Sequence, residues 1–109
     1  MSPDSNTPRF WIPSTNVLVN AAGELVIEVE LAGVERKEIK INIDGQRLTL
    51  SGQRADLDAD AARRLVVEMH HGRFESVVEV PEPFDLSRAK STHQDGMLRI
   101  VAPRRTPKS

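Results

Sequence analysis

Only a few groups of side chains in this chain have the types and spacing that chemistry requires. Asp56-x-Asp58-x-Asp60 sets carboxylates at alternate positions, as the start of a calcium loop does. Such a loop also needs a glycine at its sixth position and a bidentate glutamate at its twelfth. Those positions hold Ala61 and Val67, so the residues favour a solvated acidic loop. His70, His71 and His93 are the three histidines. Adjacent side chains on a strand point to opposite faces, so only one of His70 and His71 can join His93, and a structural role is the better reading. Cysteine is absent, which excludes disulfides, thiolate chemistry and cysteine-based zinc sites. A Ser-His-Asp set assembles in space and leaves no fixed spacing. Its local signatures are missing all the same: there is no G-x-S-x-G, no H-E-x-x-H and no glycine-rich phosphate loop. The expectation is a protein that is not an enzyme and that uses no cofactor and no metal.

With 109 residues the chain is long enough for one core and too short for two. Fifteen Lys and Arg stand against sixteen Asp and Glu, a formal charge of −1. Nothing in that balance suggests nucleic acid, which needs a clustered basic surface. No apolar run nears the roughly 20 residues that span a bilayer, so no membrane is expected. MSPDSNTPRF has no basic segment leading into an apolar one, and the expected location is cytoplasmic.

The elements are strands. Between Glu24 and Gly52, three runs alternate with a period of two. Leu25, Ile27, Val29 and Leu31 form one apolar row, with Val26 and the glutamates turned the other way. Ile39, Ile41 and Ile43 form a second row, and Leu48 and Leu50 a third. Ala32-Gly33-Val34 punctuates the first pair of strands, and Asp44-Gly45 marks the next turn. Val17-Leu18-Val19 predicts a short strand before this block. Gln53 to Arg64 is charged, with Leu57 its one large apolar residue, and predicts a long exposed loop rather than a short helix. Leu65 to His70 resumes period two, and Phe74, Ser76, Val78 and Val80 make the next inward row. Pro81 stops that strand, because proline cannot donate to a ladder. A polar strand follows from Arg88 to Gln94, and Asp95-Gly96 turns it back into Met97 to Ala102. About eight short strands with regular turn signals predict an all-β fold, an antiparallel β-sandwich. The domain runs over 11–103, between a disordered arm (1–10) and a short tail (104–109). Phe10, Trp11 and Ile12 form an apolar cluster where the arm ends. Two readings stand for it: Trp11 caps one end of the core, or the cluster contacts a partner or client.

In order and spacing these segments resemble the α-crystallin domain of small heat-shock proteins, in the bacterial and plant branch. The resemblance covers Trp11 to Pro103. It is carried by WIPSTNVLVN, by ELVIEVELAGV (with Ala32 where the family usually has proline), by EIKINIDGQRLTLSGQR, and by Gly72-Arg73-Phe74. DGMLRIVAP carries the family's Gly-x-Leu signature at Gly96 and Leu98.

The resemblance implies an immunoglobulin-like sandwich and an ATP-independent holdase that binds partly unfolded client proteins. It places a groove between the strand of Ile39, Ile41 and Ile43 and a later strand contributing Ala89 and Ser91. Plain core packing is the other role open to those isoleucines. It further implies a homodimer in which a segment of the long loop pairs with the partner's strand near Val17, Leu18 and Val19. Leu57, Arg63, Arg64, Leu65 and Val66 are the residues of the loop side. Arg64 stands where the family often has an aromatic, and Ser76 where it often has an arginine. The chain stops at RRTPKS with no Ile-x-Ile or Ile-x-Val motif, so a dimer is expected rather than a large shell. Two alternatives remain: an adaptor or co-chaperone module of the CS-domain kind, binding a folded partner, and a piece of a longer chaperone.

Overall fold

A computed structural model describes residues 10–56, 60, 62–63, 65–66 and 69–106. Seven strands are described, β1 (Thr15–Val19), β2 (Leu25–Glu30), β3 (Ile39–Asp44), β4 (Arg47–Arg54), β5 (Gly72–Glu79), β6 (Lys90–Gln94) and β7 (Met97–Ala102). Single 3-10 turns at Arg36–Glu38 and Leu86–Arg88 lead into β3 and β6. Two antiparallel sheets result, one of four strands in the order β1-β2-β7-β6 and one of three in the order β3-β4-β5. The all-β sandwich is as expected.

Register explains the core. Ile27 pairs with Ile100 and Val29 with Leu98 in the first sheet. Leu48 pairs with Val78 and Leu50 with Ser76 in the second. The inner rows meet in one cluster that includes Leu25, Ile27, Val29, Leu31, Leu48, Leu50, Phe74, Leu86 and Ile100, all buried. Alternation therefore chose the inner face of β2 correctly, with one exception. Val26, expected toward water, is fully buried. β2 is an interior strand, and Val26 is flanked on its own face by Leu18 of β1 and Val101 of β7. Three apolar neighbours across a sheet bury the middle one even on an outer face.

The expected strand at Leu65 to His70 does not form at its described residues, Val67 and Glu68 lying outside them. The chain leaves β4 at Arg54 and returns at Gly72, and these two residues are themselves paired in the β4–β5 ladder. Leu65, Val66, Met69 and His70 lie outside any strand and are exposed. Period two assigns faces, but a strand also needs a neighbour to bond, and β5 already holds that place beside β4. The predicted end of the third strand also moves. β4 continues through Gly52, where a Cβ would fall 2.2 Å from the Glu38 carbonyl oxygen and 2.6 Å from the Phe74 ring. Glycine there lets the 3-10 turn and the core aromatic close over the strand.

Two motifs that looked separate in the sequence meet at Gly96. The Leu31 amide donates to the Gly96 carbonyl over 2.8 Å, and Ala32 Cα lies 3.1 Å from where a Gly96 Cβ would be. The Ala32-Gly33 turn thus rests on the Asp95-Gly96 hairpin, both of whose residues have positive φ.

Candidate functional site

Each sheet ends at an edge strand, and two of these edges face a common cleft. β3 is the outer strand of the three-stranded sheet and β6 that of the four-stranded one. A cleft of about 210 Å³ is lined by Arg36, Ile39, Ile41, Ser91, Thr92, His93 and Leu98. Ile41 sits opposite Leu50 and Ile43 opposite Leu48, so the isoleucine row is on the inner face. The leucines are buried, whereas Ile41 is 37% exposed and Ile43 41%. β4 has a strand on both sides, while β3 is open on one, so the same face closes over one row and leaves the other partly wet. Ile39 is half-buried and packs on the core, as does Ala89.

Of the five groove residues named from the sequence, the cleft brings Ile39, Ile41 and Ser91 together. Ile43 and Ala89 are not part of its lining. Arg36, Thr92, His93 and Leu98 were not assigned to it. His93 was legible: it is two residues from Ser91 and pairs with Leu98 across the Asp95-Gly96 hairpin. Its Nε2 is buried without a hydrogen-bond partner. No group of three His, Asp or Glu that could hold a metal occurs among the described residues.

The residues named for a dimer occupy two separate places. β1 is the other edge of the four-stranded sheet, and Val17, Leu18 and Val19 are all exposed on it. Arg63, Leu65 and Val66 belong to the segment between β4 and β5, with Leu65 82% and Val66 77% exposed. Leu57 and Arg64 lie outside the described residues. Within the chain these two groups do not pair.

The aromatic cluster divides. Phe10 and Ile12 are exposed, with the Arg73 guanidinium 5.1 Å from the centre of the Phe10 ring. Trp11 is half-buried against the core, and its backbone bridges in parallel to Phe74 of β5. The signature residue Leu98 is buried in the core and also forms part of the cleft wall.

At the opposite end, the segment after β7 is clasped to the connection after β5. The Arg105 amide donates to the Pro83 carbonyl and the Asp85 amide to that of Pro103. The Arg105 side chain reaches Glu82 at 2.9 Å, Gln46 Oε1 at 2.8 Å and Asp85 at 3.7 Å. Gln46 in turn donates to the carbonyls of Val80 and Phe84. The Asp85 carboxyl is held below its ordinary value, chiefly by the Ser87 hydroxyl that donates to it. Burial opposes this, while the Ser87 amide and the charges of Arg105 and Arg88 add to it. No described helix is long and apolar enough to cross a membrane.

Against known proteins, the sequence model of the Hsp20/alpha crystallin family matches residues 17–109. Small heat shock protein C2 of Rickettsia felis is 28% identical over 102 residues, covering 93% of this chain and 66% of its own. The 19.0 kDa class II heat shock protein of Oryza sativa is 27% identical over 96 residues, covering 82% and 55%. The chain thus spans a little over half to about two thirds of the length of these relatives. Among solved structures, hspA from Xanthomonas axonopodis superposes with a TM-score of 0.79 at 21% identity, over 89% of this chain and 97% of that one. A small heat-shock protein from Xylella fastidiosa gives 0.79 at 20% identity, over 93% of each. The match of the family model over most of the domain places this chain in the Hsp20/alpha crystallin family.

Proposed function

We propose that this protein is an ATP-independent holdase of the small heat-shock type. It binds apolar segments of partly unfolded proteins in the cleft between β3 and β6 and slows their aggregation. The observation that carries this reading is the half-wet isoleucine row: Ile41 and Ile43 face the interior on a strand with an open edge. Such an edge offers unpaired backbone groups to an extended segment while the row offers apolar contact, the two components of β-strand addition. Covering the surface that Ile41 and Ile43 still expose, 37% and 41% of each, gives roughly 1–2.5 kcal/mol before ordering costs. That corresponds to weak, reversible capture, and affinity for the unfolded state lowers the free concentration of the aggregating species by mass action.

The chain acts as a homodimer in this reading, in the cytoplasm. The open edge of β1 and the exposed Leu65 and Val66 on another copy's loop are complementary: one is a strand lacking a partner, the other an apolar segment lacking a ladder. The groove is tested with a heated model client, followed by light scattering at rising ratios of this protein without ATP. Wild type suppresses scattering, and Ile41→Glu, which alters a half-exposed edge position, folds but protects several-fold less. Full protection by a folded Ile41→Glu variant removes the groove from the mechanism. No suppression at several-fold excess, with one folded partner recovered in a pull-down, identifies an adaptor instead.

A further inference from the structure

Trp11 is bonded to both legs of the segment that joins β4 to β5. On the outgoing leg, the Arg54 guanidinium lies 4.2 Å from the centre of the indole ring. Arg54 also donates to the carbonyl of His70 on the return leg, through Nε at 2.8 Å and through its terminal Nη2. Through Nη1 it reaches the Ala32 carbonyl at 3.2 Å. On the return leg, the His70 imidazole stacks on the indole at 5.8 Å and 12°, and Trp11 Nε1 donates to the Gly72 carbonyl at 3.1 Å. One residue further, the Trp11 amide donates to Arg73 and its carbonyl accepts from Glu75, at 3.1 and 3.2 Å. Phe74, tilted at 55° and 5.2 Å away, ties the indole to the core. His71 Nε2 is 3.7 Å from Asp56 Oδ2 across the same neck.

We infer that Trp11 is a positioning residue for self-association, a clamp that fixes the neck of the loop and so presents Leu65 and Val66 to a second copy. This inference rests on the dimer reading given above. The geometry supports it in two ways. Every polar bond of Trp11 goes to the β5 edge or to its approach, so the residue is built to hold that leg. Arg54 then spans the gap, joining ring, return leg and the Ala32 turn in one group. A segment held at its base loses less freedom when its apolar residues dock, and preorganisation of this kind appears as affinity.

The experiment compares wild type with Trp11→Ala and Arg54→Ala, each checked for a native far-UV spectrum and a cooperative melt. Sedimentation equilibrium gives the dimer Kd, and hydrogen exchange reads the Glu75 amide, whose acceptor is the Trp11 carbonyl. Trp11 is the only tryptophan, so its emission reports the clamp in the wild-type and Arg54→Ala proteins without a label. The clamp predicts dimer affinity weaker by on the order of tenfold in both variants. It also predicts faster exchange at Glu75 in Trp11→Ala and red-shifted emission in Arg54→Ala. Folded variants that dimerise like wild type overturn the inference. If wild type itself stays monomeric, the dimer reading fails separately. Exchange at Glu75 then separates the two failures: protection lost in Trp11→Ala leaves Trp11 holding the neck without a role in self-association, and equal exchange overturns the clamp as well.

Discussion

Ile27 and Ile41 are the same side chain in two settings, and the difference between them separates stability from binding. Ile27 is fully buried in the cluster between the sheets, whereas Ile41 is 37% exposed on an edge strand. Ile27→Ala therefore costs on the order of 2–5 kcal/mol, the transfer loss plus a cavity. Ile41→Ala costs less, about 1–2 kcal/mol, since part of its surface is wet already and the open side relaxes. Denaturant melts check both, and equal losses at the two sites would place Ile41 in the core. The sequence set both residues in apolar rows without telling them apart, because alternation reports the face of a strand and is blind to whether that strand lies inside a sheet or at its rim. The same blindness hid Val26, whose burial comes from neighbours on two other strands. His93 was noticed for its possible ligand chemistry, while its place in the cleft follows from pairing with Leu98.

At the level of elements, the hairpins were the most legible features. Asp44-Gly45 and Asp95-Gly96 each mark a reversal, since positive φ at those glycines is a local demand that local residues reveal. The segment from Leu65 to His70 misled for a related reason: its pattern is strand-like, but none of its described residues pairs with the open edges of β1, β3, β5 or β6. The clasp between Arg105, Gln46, Glu82 and Asp85 left no local trace, as it joins residues far apart in the chain. Its behaviour with pH follows from the lowered titration of Asp85. A carboxyl whose folded pKa is depressed contributes stability that is complete above its unfolded value, about 3.9. That contribution is lost as pH falls through the folded pKa. The melting temperature of wild type should therefore exceed that of Asp85→Asn at pH 7, with the gap closing as the pH drops below about 4. A gap that stays constant down to pH 2.5 would show that the carboxylate's charge is not what holds the clasp.

Across the whole molecule, the two sheets predict an ordering of local stability. β2, β4 and β7 are paired on both sides, while β1, β3, β5 and β6 each have a single neighbouring strand. Native-state hydrogen exchange should find the slowest amides in the three interior strands and faster exchange in β3 and β6, which flank the cleft. β1 provides an internal control for self-association. If its outer edge pairs with a second copy, protection there rises with protein concentration while that of β2 does not. Concentration-independent exchange in β1 would count against pairing at that edge.

The position of β7 bears on how the chain is made. The last of the described strands is an interior one, paired with both β2 and β6, with Ala102 opposite Leu25. During translation, β2 has only β1 beside it until nearly the entire domain has left the ribosome. Until then its apolar row, from Leu25 to Leu31, has no strand on that side and only part of its core. Non-local pairing of this sort is slow and exposes aggregation-prone surface while it waits. The nascent chain thus spends most of its synthesis displaying the kind of surface that the finished protein is proposed to shield on others.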